Sequence, residues 1–190
     1  NTIINLAKSP LIQCPFCGGI GDPTQLDHFL PKARYGHFSV LPYNLIPICK
    51  DCNTEYKKEF FPISKDEQLI HPYLDDDCFF NQQWLYAVYM EETVTYSVVP
   101  PATWSNDKKE KIRFHFQTFN LAERFSKKAV GPLSDLLNQI EASKACGMSK
   151  DMFESSIIES VIQNESRVNS WKRVLFLAIK NKLSDIWSAN

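Results

Sequence analysis

From residue 105 to 190, apolar side chains recur three or four positions apart. Ile112, Phe116 and Phe119 form one stripe, and Leu133, Leu136, Leu137 and Ile140 a second. Phe153, Ile157, Val161 and Ile162 form a third, and Trp171, Val174, Leu175, Ala178, Ile179 and Leu183 a fourth. A period of about 3.6 residues puts each set on one side of a helix, and the stripes are expected to pack on one another. Gly131-Pro132 and Gly147 are expected to separate the helices, and Ser149 is placed to cap one. Upstream the period changes to two. "WLYAVYM" (84–90) and "TVTYSVV" (93–99) are rich in aromatic and β-branched residues, and Glu91-Glu92 between them predicts a hairpin turn. Between 14 and 60 the apolar runs are short and broken by Cys, Pro and Gly. They predict strands near 25–29 and 45–48 and a helix from about 50 to 59, where "KDCNTEYKKEF" carries no breaker before Pro62. The pattern is α+β in three segments: a small module over 1–60, an acidic connector with a hairpin over 61–104, and a helical region over 105–190.

A chain of 190 residues, 44% hydrophobic and 13% aromatic, has the apolar surface for a real core and is not a disordered tail. Its net charge of −1 is unevenly spread: +1 over 1–60, −6 over 61–104 and +4 over 105–190. That balance excludes nucleic-acid binding by bulk charge alone. Any such contact must be local, metal-assisted or shared with a partner. No run reaches the length of a membrane span. "NTIINLAKSPLIQ" lacks the layout of a signal peptide, although the chain does not begin with Met, so a cytoplasmic protein is expected.

Six cysteines complete the chemistry. Cys14-Pro-Phe-Cys17 and Cys49-Lys-Asp-Cys52 are two C-x-x-C knuckles, each offering two thiolates from one tight turn. Gly18-Gly19 lets the backbone turn after the first. Two matched pairs in one small module read as a tetrahedral Zn²⁺ site rather than as two redox pairs. Four cysteines fill the coordination shell, so this zinc would hold the fold and do no chemistry. Cys78 and Cys146 are expected to be packed free thiols.

The knuckles bracket "LDHFLPK" (26–32) and end at Asn53. The string "CPFC…LDHFLPK…YNLIPICKDCNTEYK" resembles the HNH, or ββα-metal, endonucleases, in the subtype stapled by a four-cysteine zinc, with Asn53 where a final His is usual. The match covers about residues 14–58. The resemblance implies that His28 is the general base and that Asp27 and Asn53 hold one catalytic Mg²⁺ or Mn²⁺. It also implies that Asn44 fixes the loop and the orientation of His28, and that Lys57 faces the phosphate. The chemistry is consistent: neutral imidazole suits a base near pH 7, and carboxylate and amide oxygens suit a hard cation. Adjacent side chains on a strand point to opposite faces, so the pair is expected where the strand ends.

"FSVLPYNLIPICKDCNTEYKKEF" followed by "HPYLDD" is similar to the PtuB-type HNH subunits of the Septu and retron anti-phage systems. That resemblance implies a nuclease effector working with a PtuA-type ATPase, with or without a reverse transcriptase and its RNA/DNA, and docking through 105–190. DNA is the favoured substrate, with a structured RNA such as tRNA as the alternative. Lys32 and Arg34 follow the pair and are candidates for phosphate contact. His37 reads as a loop residue, His115 as a structural one, and Asp75, Asp76 and Asp77 as a solvated run beside His71. Lys108, Lys109, Lys111 and Arg113 form either a nucleic-acid track or the wet face of a helix. The reading from another class is a zinc-stapled binding module that cuts nothing.

Overall fold

The computed structural model describes residues 13–64 and 67–189. The reading of the first twelve residues as free of a signal peptide lies outside them. The fold is mixed α/β and divides into two compact units. One takes in the chain up to Phe79 together with Pro101–Leu121, the other Phe80–Pro100 and the chain from Ala122. The three segments expected from composition therefore do not each form a unit. The reason is packing: α3 (Asn106–Thr118) carries His115, whose imidazole bonds the carbonyl of Phe16 at 3.0 Å.

The first unit opens with the first knuckle and strand β1 (Gln25–His28). β1 pairs antiparallel with β2 (Leu45–Ile48), with Asp27 opposite Ile46 and His28 opposite Leu45. Between the strands lie two short 3₁₀ turns, Gly36–Phe38 and Pro42–Asn44. Helix α1 (50–57) follows β2 directly and is π-wound over Cys52–Lys57. Phe16, Ile46, Ile48, Ile112 and Phe119 are buried at its core. The Phe16 and Phe119 rings are stacked at 5.1 Å. Ser105 caps α3 by accepting from Lys108 N, and a short helix α2 (Cys78–Asn81) spans the boundary between the units.

The second unit contains the hairpin β3 (Leu85–Met90) and β4 (Thr93–Val98). Glu91 and Glu92 both take positive φ, 50° and 59°. This is the turn whose twist matches that of paired strands, made here without the Asn or Gly that favours it. Alternation buries Leu85, Val94 and Tyr96 and leaves Tyr86, Val88 and Met90 outward. Asn169 Oδ1 accepts from the Trp84 and Leu85 amides, and Tyr96 Oη donates to Trp171 O.

Two helical expectations are corrected. Gly131-Pro132 does not separate helices: α4 runs unbroken over Leu121–Ala145. Phe125, Ala129, Leu133, Leu136 and Ile140 keep one buried face on both sides of the proline. Their burial outweighs the ~3 kcal/mol that an interior proline costs. Gly147, at φ 74°, does end α4. The bonds Gly147 N to Lys144 O and Met148 N to Ser143 O close the left-handed cap that only glycine takes without strain. The second correction concerns Ile157. Ser149 caps α5 (Lys150–Phe153) as expected, but the chain then π-winds over Glu154–Ile158 before α6 (Glu159–Asn164). The extra residue in that turn moves burial from Ile157 to Ile158. Helix α7 (Trp171–Ser188) buries Val174, Leu175, Ala178, Ile179 and Leu183, as its stripe predicts. No helix among the described residues is long and apolar enough to cross a membrane.

Candidate functional site

The four knuckle cysteines converge. Cys14, Cys17, Cys49 and Cys52 are buried, with their sulfurs all within 4.8 Å of one another and Cys17 Sγ 3.9 Å from Cys49 Sγ. A zinc tetrahedron with bonds of about 2.3 Å has edges of about 3.8 Å, so the donor set fits that ion. The thiols differ in acidity because they bond one another. Cys17 and Cys52 are driven in opposite directions, down and up, and Cys49 is lowered to about 7, chiefly by its bond with Cys14. Cys14 is raised, chiefly by its bond with Cys17. Four buried sulfurs cannot all be anionic without a cation among them. Gly21 belongs to this site: a Cβ there would lie 2.9 Å from both Cys49 Cβ and Cys49 Sγ. Of the remaining thiols Cys78 is buried as expected. Cys146 is exposed, because it lies just past the last turn of α4 rather than on its buried face.

Asp27 and His28 sit at the end of β1, and their side chains bond in different directions. His28 Nε2 lies 3.0 Å from Ser39 O. A carbonyl only accepts, so Nε2 is the donor in this contact. Asp27 Oδ2 instead meets Lys57 Nζ at 2.6 Å. Lys57 is 2% exposed and also donates to His28 O at 2.8 Å. The expectation that Lys57 faces a phosphate is thereby corrected: its amine is turned inward, from α1 onto the end of β1. Asn53 lies one turn earlier on α1, and its Nδ2 donates to Gln25 Oε1 at 2.9 Å. Asp27 thus spends one carboxylate oxygen on Lys57, and Asn53 its amide nitrogen on Gln25.

Asn44 is the best-anchored polar side chain here. It is buried, accepts from Leu30 N at 2.7 Å, and donates to Leu30 O and Phe38 O at 3.2 Å each. Its own carbonyl accepts from Phe29 N at 2.8 Å. One asparagine thus fixes both ends of the chain that leaves β1 and returns to β2. Lys32 and Arg34 are exposed on that loop, and Arg34 stacks 4.7 Å over the Phe61 ring. His37 is exposed and packs on Phe38.

At this level the chain can be compared with known proteins. It is 36% identical over 182 residues to protein ea31 of Escherichia phage lambda, an alignment taking in 89% of this chain and 62% of ea31. The chain thus spans 62% of ea31's length. No family model matches the sequence, and no solved structure matches it.

The residues that sequence reasoning valued least frame the site from behind. His115 is wholly buried, and burial is the main cause that pushes its pKa down to about 4. It accepts from Ile70 N through Nδ1 and bonds Phe16 O through Nε2. His71, also lowered by burial, packs its ring 4.4 Å from that of Phe29, the neighbour of His28. The acidic run is not a loose solvated loop. Asp75 accepts from His71 N and pairs with Lys111, and Asp76 pairs with Lys108. Arg113 pairs with Glu110, and Lys109 donates to Ala102 O. Each cation of the basic run on α3 thus has a partner within the protein. Only the "HPYLDDD" string, with its His and three acids, carried a signal for this buttress.

Proposed function

We propose that the chain is a metal-dependent HNH-type endonuclease that hydrolyses phosphodiester bonds of nucleic acid, with DNA as the favoured substrate and RNA as the alternative. The observation that carries this reading is the 3.0 Å contact between His28 Nε2 and Ser39 O. A neutral histidine at a strand end whose Nε2 donates to a backbone carbonyl has its lone pair on Nδ1, where it can take a proton from water. Three features support it: Asn44 holding the loop, Asn53 on the helix that follows β2, and the four-cysteine site that ties the first knuckle to that helix. A divalent cation held by Asp27 and Asn53 would polarise the phosphate and neutralise the leaving oxygen. The role of Ser39 O is to orient the imidazole, and that of Asn44 to hold the loop that presents Ser39. In the setting implied by the sequence, the chain works beside a PtuA-type ATPase in defence against phage. Its likeness to protein ea31 widens that setting to proteins carried by phage themselves.

The test is cleavage of DNA and of RNA by purified protein with Mg²⁺ or Mn²⁺. His28→Ala is expected to lower the rate by at least about 10²-fold while zinc content and folding stay unchanged. An unaltered rate in that variant sinks the proposal. The Lys57–Asp27 pair favours a second reading, in which the carboxylate is structural and the module only binds. In that case no nucleic acid is cut with either metal, and Asp27→Asn affects stability alone.

A further inference from the structure

The loop over 29–44 is built more firmly than a connector requires. Arg34 N and Tyr35 N donate to Pro31 O, Phe38 N to Tyr35 O, Ser39 N to Gly36 O, and Leu41 N to Phe38 O. Asn44 and His28 hold the carbonyls of Phe38 and Ser39. Yet this fixed loop leaves apolar and aromatic surface in water: Tyr43 is 55% exposed and Val40 73%. Tyr35 stacks on Phe38 with ring centres 6.1 Å apart, His37 tilts over Phe38 at 4.2 Å, and Arg34 lies flat enough over Phe61 to make a cation–π contact. Rings and guanidinium planes displayed this way are surfaces on which unpaired bases stack.

The distribution of cations agrees. Lys32 and Arg34 are exposed and enter none of the ion pairs described, whereas Lys57, Lys108, Lys111 and Arg113 are each paired with a carboxylate. Free positive charge thus sits on the same loop as the rings, and it suffices for only a few phosphates. A duplex keeps its base faces against one another and would gain only the phosphate contacts from this surface.

We infer that the loop over 29–44 is a platform for unpaired nucleotides, so that the substrate is single-stranded nucleic acid or a single-stranded stretch of a folded one. The position of the scissile phosphate beside the platform rests on the nuclease reading above; the stacking surface does not. The test uses the full chain without added Mg²⁺ or Mn²⁺, and labelled strands of about 12 nucleotides as DNA and as RNA, each alone and annealed to its complement. Anisotropy titrations are expected to show single strands bound at least about tenfold more tightly than duplexes, the effect of one stacked base. Tyr43→Ala should weaken single-strand binding about tenfold, and Tyr43→Phe, which keeps the ring, should not. Equal affinity for duplex and single strand, or wild-type binding by Tyr43→Ala, overturns the inference. The DNA and RNA arms identify the preferred sugar. Cleavage is read separately after adding Mn²⁺. Strands bound as described but never cut would end the nuclease reading and leave the platform standing. Duplexes cut as fast as single strands, with Tyr43→Ala unchanged, would do the reverse.

Discussion

The Lys57 amine is buried at 2% exposure, and its two acceptors, Asp27 Oδ2 and His28 O, both belong to the end of β1. Taking such a cation out of water is costly, and the pair repays it only while both partners remain. Lys57→Met is expected to destabilise the protein by about 2–3 kcal/mol in urea unfolding, less than for a fully buried pair because Asp27 keeps some contact with water. Adding Asp27→Asn should recover most of the loss, and additive losses would show that the two do not interact. His115 gives a pH dependence of definite sign. Burial, with a lesser push from Lys111, lowers its folded pKa to about 4, against upward pulls from Phe16 O, Cys17 and Asp75. The folded state therefore holds fewer protons than the unfolded one between about pH 6.5 and 4. Its contribution is full above about pH 6.5 and is lost as the pH falls towards 4, by up to about 3 kcal/mol. His115→Gln, compared with wild type at pH 7 and pH 5, should be less sensitive to acid; an equal sensitivity would assign the effect to other groups. Neither residue announced itself. Lys57 lies one turn past Asn53 on a helix with further lysines, and nothing local says that its amine turns inward. His115 alternates with two phenylalanines, a pattern that marks a buried helix face but names no partner 99 residues away.

Elements were more legible than contacts. β1, β2, α1 and the hairpin stand within a few residues of their expected spans, because each is written in local alternation, β-branched residues and breakers. Where expectation failed, local propensity lost to packing. Pro132 sits inside α4 because the apolar face is continuous across it. Pro132→Ala should thus stabilise the protein by about 1–3 kcal/mol by restoring one helical bond and removing a clash. A lower melting temperature in that variant would mean that the proline has shaped the helix around it. The π-winding at Glu154–Ile158 was invisible for a related reason: an inserted residue keeps the composition and shifts only the phase of the stripe.

At the scale of the molecule, the first unit is assembled from segments far apart in the chain, and the four cysteines that could hold a zinc join the first of them. Chelating the metal is expected to unfold the knuckles, β1, β2 and α1, because structural zinc binding is coupled to folding. Hydrogen exchange should then rise over 106–118 as well, although those residues lie well beyond the last zinc cysteine, because α3 is bonded to the first knuckle through His115. Retained protection on α3 after chelation would contradict that coupling. The sequence by itself determined the α+β character, the four-cysteine site, and the order strand, strand, helix around Asp27, His28, Asn44 and Asn53. Those are set by spacing along the chain and by side-chain type, which a single sequence displays. Only the tertiary structure decided that Lys57 closes on Asp27, that His28 Nε2 meets Ser39 O, that Lys111 and Lys108 pair with Asp75 and Asp76, and that α3 belongs to the first unit. Each of those depends on which surfaces bury each other, and burial joins residues whose separation in sequence carries no local trace.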